Sequence, residues 1–242
     1  MYQKTKYLAV GDQYILVEFG NVISLDIHKK VRGLFLVLQE QLGDELVEVI
    51  PTYRSLLVHY DSLRIDGDEM LEQIKALEDN LGEMALPAPR IYRIPVRYGG
   101  EYGPDLGYVA KYNGLSEEEV IEIHTERDYL IYMLGFTPGF CYLGGMSERI
   151  ATPRLKEPRM RIPAGSVGIA GNQTGMYPID SPGGWQLIGR TPIKLFDPDN
   201  EKQPVLMQVG DYIRYFSVSQ DEYERISQEI EQGTYQIEII DQ

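Results

Sequence analysis

The first 97 residues alternate between a hydrophobic pattern typical of strands and one typical of helices. Residues 13–19 are rich in β-branched and aromatic side chains and follow a Gly-Asp turn signal, which predicts a strand. Between Ser24 and Leu42 apolar residues recur every three or four positions, which predicts a helix. Ser24 is suited to cap this helix, and Gly43 follows as a stop signal.

The same alternation continues to the end of this region. Two strands, a helix and a last strand are predicted at residues 46–51, 55–60, 67–81 and 91–96. The order strand–helix–strand–strand–helix–strand is the ferredoxin-like pattern. We therefore expect a ferredoxin-like α/β domain over residues 1–97, with a boundary near Tyr98 and Gly99.

From residue 98 to residue 242 the pattern changes to one of short strands separated by glycine and proline turns. After a short helix from Ser116 to about His124, strands are predicted at residues 129–134, 166–170, 185–189, 193–196, 212–217 and 235–240, with a helix at 221–232. Residues 135–189 hold 11 of the 24 glycines, which implies many tight turns. This pattern predicts a closed or nearly closed β-barrel domain, so the fold class of the whole chain is α+β.

Composition predicts a cytoplasmic protein that binds neither membranes nor nucleic acids. The one cysteine, Cys141, excludes an internal disulfide framework and fits a reducing cytoplasm. No apolar run approaches the length of about 18 residues that a membrane-spanning helix needs, and the N-terminus lacks the pattern of a signal peptide. The net charge of −14 argues against general nucleic-acid binding.

Positive charge is nevertheless concentrated in residues 149–190. Six basic residues stand there against two acids, Glu157 and Asp180, which gives this segment a charge of +4. Such a positive region can attract an anionic ligand or an acidic partner, and it can equally be a loop decorated with solvated arginines.

Residues 135–190 also hold most of the candidate binding groups. The candidate substrate-binding residues are flat aromatic side chains, neutral hydrogen-bonding side chains and arginines that can hold a carboxylate or phosphate: Phe136, Phe140, Tyr177 and Trp185; Ser166, Gln173 and Gln186; Arg154, Arg161 and Arg190. This mixture is typical of a small-molecule site or a docking surface. The alternative is a glycine-rich barrel without a binding site, which would explain the glycines but not the tryptophan, the glutamines and the cluster of arginines.

Catalytic and cofactor signals are weak. There is no phosphate-binding P-loop, no histidine spacing for a metal and no recognisable nucleophile–base pair, and Cys141 is expected to be a small buried hydrophobe. The catalytic candidates are therefore limited to His124, Arg154 and Arg190, and no metal or cofactor is predicted for this chain.

Four segments closely resemble one family: GFTPGFCYLGG at residues 135–145, ATPR at 151–154, PAGSVGIAGNQTGMYP at 163–178 and SPGGWQLIGRTP at 181–192. It is the family of allophanate hydrolase subunit 1, also called the family of the 5-oxoprolinase B subunit or the KipI family. The resemblance implies a small α/β N-terminal domain and a cyclophilin-like β-barrel. A cyclophilin-like fold would not by itself imply prolyl isomerase activity.

The resemblance also implies an activity and partners. The chain would be the B subunit of a bacterial 5-oxoprolinase, inactive alone, which with the A and C subunits hydrolyses 5-oxo-L-proline to L-glutamate using ATP. The C subunit is of the allophanate hydrolase subunit 2 type. The alternatives are a KipI-type inhibitor of histidine kinase autophosphorylation and a protein related to allophanate hydrolase or urea carboxylase.

Overall fold

The computed structural model describes residues 4–83 and 86–241. By its internal contacts the chain divides into two compact units, Met1–Pro87 and Ala88–Gln242. Within the described residues, no helix combines the length and the apolar character that crossing a lipid bilayer requires.

The first unit is an antiparallel sheet packed against helices. Its elements are β1 (Lys6–Ala9), β2 (Tyr14–Glu18), α1 (Leu25–Gln41), β3 (Leu46–Pro51), β4 (Ser55–Tyr60), α2 (Gly67–Asp79) and a 3-10 turn (Leu81–Glu83). The side chain of Ser24 caps α1 by accepting from the Ile27 amide, as its sequence position predicts. Buried residues of the sheet and both helices form one hydrophobic core, which includes Val17, Leu34 and Met70.

The sheet of the first unit differs from the expected one in its fourth strand. The strand order is β1-β2-β4-β3, so the N-terminal strand β1 lies beside β2, where residues 91–96 were expected. Residues 91–96 instead belong to β5 (Arg90–Tyr98), which pairs with strands of the second unit. The compact units accordingly divide at Pro87 and Ala88, ahead of β5, rather than at residues 97 and 98.

The second unit contains three helices and most of the strands. Its elements after β5 are α3 (Leu106–Asn113), α4 (Glu117–Thr125), β6 (Tyr129–Leu134), β7 (Cys141–Gly144), a 3-10 turn (Glu148–Ile150), β8 (Arg159–Ile162), β9 (Ser166–Ala170), β10 (Gln173–Met176), β11 (Ser181–Gly183), β12 (Gln186–Arg190), β13 (Tyr212–Ser217), α5 (Gln220–Glu231) and β14 (Ile239–Asp241). Ser116 caps α4 in a capping box with Glu119, as the Ser-Glu-Glu-Glu sequence predicts.

A nearly closed β-barrel forms the centre of this unit. Its strand order is β10-β9-β12-β5-β13-β6-β7, and β14 pairs with the beginning of β5. The two end strands approach each other, since a Cβ on Gly175 in β10 would lie 3.4 Å from the carbonyl oxygen of Cys141 in β7. Strands β8 and β11 pair only with each other and form a separate ribbon.

Two predicted strands are shorter or absent. Residues 193–196 form no strand, and only an isolated bridge joins Phe196 to Val205. In the predicted strand at 235–240, pairing begins only at Ile239. Both segments carry apolar residues because Ile193, Leu195, Tyr235 and Ile237 pack on the barrel core as loops, which the hydrophobic pattern alone does not distinguish from strands.

Candidate functional site

The second unit carries an open cavity of about 350 Å³, which we call the aromatic cavity. It is lined by Phe136, Phe140, Tyr142, Arg154, Pro158, Tyr177, Pro182, Gly183, Gly184 and Trp185. The cavity lies over a small hydrophobic cluster that joins Ile162 of the β8–β11 ribbon to Ala170 and Leu187 of the barrel. Five sequence-predicted binding residues therefore meet at one place, namely Phe136, Phe140, Arg154, Tyr177 and Trp185.

Phe140 is the centre of the aromatic lining. Its buried ring makes edge-to-face contacts with four neighbours, with centroid distances of 5.5 Å to Phe136, 5.2 Å to Tyr142, 5.8 Å to Tyr177 and 5.7 Å to Trp185. Edge-to-face pairs are favourable beyond the area that they bury. The interlocked rings therefore form a stiff apolar surface.

Phe136 stands at the cavity rim in an unusual backbone conformation. Its φ is +66°, and no other non-glycine residue among the described ones has a positive φ. The residue is 63% exposed. A bulky residue held in the left-handed region is strained, and such strain persists where the surrounding structure over-determines it, often at functional sites. Here Thr137 donates to the Gly135 carbonyl at 2.8 Å and Phe140 to the Thr137 carbonyl at 3.0 Å, which fixes the loop.

Tyr177 is fixed deep in the cavity wall. Burial raises the pKa of its phenol to about 12, even though a hydrogen bond with the Trp185 backbone and the charges of Arg154 and Arg159 act in the opposite direction. The phenol therefore stays protonated at neutral pH. Gly183 makes room for it, since a Cβ there would overlap the Tyr177 hydroxyl oxygen.

Arg154 is held at the cavity by the residues around it in the chain. Thr152 exchanges backbone hydrogen bonds with Gly171, at 3.1 and 2.7 Å, and Leu155 donates to the Gly184 carbonyl at 2.7 Å. The guanidinium itself is exposed, and in the part of the chain that the structure describes it has neither an ion-pair nor a hydrogen-bond partner. It is therefore available to a carboxylate or phosphate in the cavity.

The other two candidate arginines lie outside the cavity lining. Arg161 is exposed and pairs with Asp180, with its Nη2 at 2.6 Å from Oδ2. The Arg190 guanidinium lies over the ring of Tyr102, with its Cζ 5.6 Å from the centroid. Arg161 is ion-paired, whereas the buried Nε of Arg190 has no hydrogen-bond partner among the described residues. Their position outside the cavity lining is what separates both from Arg154.

The three neutral candidates are also outside the lining. Gln186 is 2% exposed, and its Nε2 donates to the Pro153 carbonyl at 2.9 Å. It therefore supports the Arg154 segment from behind. Ser166 is fully buried in β9, with no hydrogen-bond partner for its Oγ among the described residues. Gln173 is half-buried at the beginning of β10.

His124 lies in the barrel core, completely buried. Its Nδ1 is 2.8 Å from the Tyr98 hydroxyl and its Nε2 is 2.8 Å from Thr174 Oγ1, while its ring stacks on Tyr215 at 4.6 Å. Thr174 Oγ1 donates to the Gly168 carbonyl at 3.1 Å. With that proton engaged, Thr174 accepts from a protonated Nε2, and Nδ1 accepts from Tyr98.

Burial lowers the pKa of His124 to about 3, so its imidazole is neutral at physiological pH. Both ring nitrogens are occupied by protein partners, and the ring does not reach the aromatic cavity. We therefore assign His124 to the core of the second unit. Cys141 is likewise buried, with its pKa raised to about 12 by burial, and it is not a nucleophile at neutral pH.

Sequence reasoning missed two features of the site. One is the strained conformation of Phe136, which the Thr-Pro-Gly that follows it indicates only as a turn. The other is Asp105, which forms a close ion pair with Arg159 beside the cavity, 2.7 Å between Nη2 and Oδ1. These two residues are far apart in the sequence, and no local pattern links them. Within the described residues, no group of three His, Cys, Asp or Glu side chains is arranged to hold a metal ion.

Comparison with known proteins places this geometry in context. Residues 5–207 match a family model described as carboxyltransferase domain, subdomain C and D. The chain is 46% identical over 230 residues to the B subunit of 5-oxoprolinase from Bacillus subtilis, covering 91% of this chain and 95% of the relative. It is 41% identical over 220 residues to the protein of the same name in Escherichia coli O157:H7, covering 88% and 96%. The crystal structure of TTHA0988 is similar with a TM-score of 0.76 at 35% identity, over 86% of this chain and 40% of that longer chain.

Proposed function

We propose a function for this chain from the family to which it belongs, that of the 5-oxoprolinase B subunit. In this proposal it is one component of a bacterial enzyme complex that hydrolyses 5-oxo-L-proline to L-glutamate with ATP. Its partners are the A and C subunits of that enzyme. The observation that carries the proposal is 46% identity spread over almost the full length of a relative with that name.

The aromatic cavity supports this substrate class. 5-Oxoproline is a small five-membered lactam that carries one carboxylate. A flat ring of this kind suits a cavity of about 350 Å³ lined by Phe136, Tyr177 and Trp185. The carboxylate would pair with the guanidinium of Arg154, which presents parallel N–H donors in the geometry that a carboxylate accepts.

The chemistry of the cavity lining explains why the chain would need partners. The lining consists of aromatic, proline and glycine residues with one arginine, and it offers no general base and no activated nucleophile. Tyr177 remains protonated at neutral pH. The residues of this chain therefore bind and orient the substrate, and the groups that use ATP and activate water come from the A and C subunits.

Reconstitution tests this function. The chain alone is expected to show no 5-oxoproline-dependent ATP hydrolysis, and co-expression with the A and C subunits is expected to give ATP hydrolysis coupled to glutamate formation. Replacing Arg154 by Ala in the complex should lower kcat/KM about 10- to 100-fold, because a hydrogen-bonded ion pair with the carboxylate is lost.

Arg149→Ala is the matched control, since Arg149 is also exposed but does not line the cavity. This variant should keep the activity of the unmodified complex. A complete complex without 5-oxoproline-dependent ATP hydrolysis would contradict the function. Full activity of the Arg154→Ala complex would instead contradict the assignment of the site.

Finer assignments belong to the same proposal. We infer a cyclophilin-like fold for the second unit, supported by its nearly closed barrel. We infer a permuted ferredoxin-like sheet for the first unit, supported by the position of β1 beside β2. A cytoplasmic location is supported by the single buried cysteine. Inhibition of a histidine kinase and a role related to allophanate hydrolase or urea carboxylase remain predictions from the sequence resemblance, and each predicts a different partner in a pull-down.

A further inference from the structure

We propose that Asp105 and Arg159 act as a positioning pair that fixes the backbone of Trp185 and thereby sets the shape of the aromatic cavity. The consequence for substrate binding rests on the proposed function, in which this cavity holds the substrate. The positioning itself is a property of the chain alone.

Hydrogen bonds join this pair to the backbone of Trp185 and Leu187. Arg159 Nη2 lies 2.7 and 2.8 Å from the two carboxylate oxygens of Asp105, and its Nη1 donates to the Trp185 carbonyl at 3.2 Å. The Leu187 amide donates to Asp105 Oδ2 at 2.6 Å, and the Asp105 amide donates to the Leu187 carbonyl at 2.9 Å. Residues on both sides of Gln186 are thus tied to the same pair.

The Asp105 side chain binds Arg159 and the Leu187 amide instead of capping a helix. It stands at the N-cap position of α3, where an aspartate side chain normally accepts from the first amides of the helix. Its side chain makes no capping hydrogen bond. Capping typically stabilises a helix by about 1 kcal/mol. Because Asp105 forgoes this stabilisation, its contacts with Arg159 and Leu187 indicate a different requirement at this position.

Sheet pairing alone does not hold Trp185. Trp185 precedes β12, and the pairing of β12 with β9 changes register between Leu187 and Gly189. The side chain nevertheless has to meet Phe140 and Tyr177 edge to face. Tyr177 hydrogen-bonds to the Trp185 backbone and Leu155 to the Gly184 carbonyl, and the hydrogen bond from Arg159 holds the Trp185 carbonyl where the strand has not yet begun.

The chain offers a direct readout and a matched control. Trp185 is its only tryptophan, so the fluorescence of the chain reports on the position of this side chain. Arg214 forms a comparable ion pair with Asp128 in the same unit, 2.5 Å between Nε and Oδ1, and does not line the cavity. Arg159→Gln and Arg214→Gln therefore remove similar ion pairs at different distances from Trp185.

For the isolated chain, we expect Arg159→Gln to shift Trp185 emission to longer wavelength and to increase its quenching by acrylamide, whereas Arg214→Gln should match the unmodified protein in both. The emission wavelength and quenching of Arg159→Lys should lie between those of the unmodified protein and of Arg159→Gln. An ammonium group keeps the charge but cannot reproduce the planar fork that reaches Asp105 and Trp185 together. In the complex with the A and C subunits, Arg159→Gln should raise KM for 5-oxoproline about tenfold with a smaller change in kcat, because misplacement of a binding wall weakens orientation.

The two proposals can fail separately. Unchanged emission and quenching in Arg159→Gln would overturn the positioning role, whatever the activity of the complex. An equal spectral change in Arg214→Gln would also overturn it, since the effect would then be a general loss of stability. A complex of the unmodified chain without 5-oxoproline-dependent activity would contradict the proposed function, and the fluorescence of the isolated chain would still decide the role of the pair.

Discussion

The second unit contains two aromatic clusters that differ in how their polar groups are used. The inner cluster, formed by Tyr98, His124, Tyr129, Thr174 and Tyr215, is buried in the barrel core. Tyr98 and Thr174 occupy both ring nitrogens of His124, and the Tyr129 hydroxyl donates to the His124 carbonyl at 2.8 Å. The aromatic cavity instead leaves the Arg154 guanidinium without a partner among the described residues and exposes Phe136.

Under the proposed function, we expect the inner cluster to contribute to stability and the aromatic cavity to contribute to binding. His124 has a strongly shifted pKa, and strongly shifted pKa values cluster at functional sites. Its shift comes from burial, and its hydrogen-bonding capacity is filled by the protein itself. Arg154 has unused capacity for a ligand, Phe136 has a strained backbone, and both face a cavity. We therefore predict that open hydrogen-bonding capacity beside a cavity is the better guide to function in this fold than a shifted pKa.

The largest expected effect comes from closing the aromatic cavity at Gly183. In Gly183→Ala the new Cβ would overlap the Tyr177 hydroxyl oxygen and would lie 2.8 Å from Ile162 Cδ1. Both neighbours are buried, so the substitution should cost about 1–3 kcal/mol in the free energy of unfolding. Displacement of Tyr177 should also weaken substrate binding. Urea unfolding followed by Trp185 fluorescence and KM in the complex measure the two effects.

Gly184→Ala is the control for this substitution. A Cβ at Gly184 would come no closer than 3.7 Å to its neighbours, which is ordinary van der Waals contact. It should leave the unfolding free energy within about 0.5 kcal/mol of the unmodified protein. Equal effects of the two substitutions would show that the fit around Tyr177 does not define the cavity.

The inner cluster makes a prediction about acid pH. The pKa of His124 is about 3 in the folded chain and about 6.5 when unfolded, so below pH 6.5 the unfolded state binds the proton more readily. The stability of the second unit is therefore complete above pH 6.5 and declines as the pH falls towards 3. Between pH 6.5 and pH 5 this histidine should account for a loss of about 2 kcal/mol.

Two measurements separate this effect from the titration of carboxylates. Urea unfolding followed by Trp185 fluorescence reports the loss of stability between pH 6.5 and pH 5, above the usual pKa range of exposed carboxylates. NMR of the folded protein should show ring signals of His124 that stay constant between pH 5 and pH 8. A titration midpoint within that range would mean that His124 is accessible, and it would return His124 to the catalytic candidates.

The sequence predicts the elements of the fold better than their assembly. Helix caps such as Ser24 and Ser116 act locally, and the structure has both. The placement of β5 depends on which strands it pairs with. A mostly apolar strand such as β5 can join either sheet, and only the long-range pairing with β13 and β12 assigns it to the barrel. The N-terminal strand β1 is short and mostly exposed, so its pattern is weak.

The same limit applies to the site. Residue types predict which side chains can bind an anion, and Arg154, Arg161 and Arg190 are equivalent by that criterion. Their availability depends on neighbours that are distant in the sequence. Asp180 engages Arg161, and Tyr102 lies beneath Arg190, which leaves Arg154 at the cavity. Burial of His124 by tyrosines of three strands is likewise a property of the assembled barrel.

The smallest expected change in stability, and the sharpest contrast with function, comes from Phe136→Gly. Glycine relieves the strain of φ +66°, about 1–2 kcal/mol. Two losses offset this gain: about 0.5–1 kcal/mol from the greater freedom of glycine in the unfolded chain, and about 0.5–1 kcal/mol from the edge-to-face contact with Phe140. The unfolding free energy should therefore stay within about 0.5 kcal/mol of the unmodified value. Thr137→Gly, in the same loop at a negative φ, relieves no backbone strain, so the cost of about 0.5–1 kcal/mol for introducing glycine is not offset by a change in φ.

Measurement of KM for 5-oxoproline in the same two variants tests whether Phe136 contributes to binding. Phe136→Gly removes one aromatic wall of the cavity and should raise KM several-fold, although the protein is as stable as before. Thr137→Gly should leave KM nearly unchanged, since Thr137 does not line the aromatic cavity. If Phe136→Gly were as destabilised as Thr137→Gly and kept its KM, the strained conformation would have no connection with binding. A stable variant with weakened binding would show that the loop accepts strain at Phe136 in order to present its ring to the ligand.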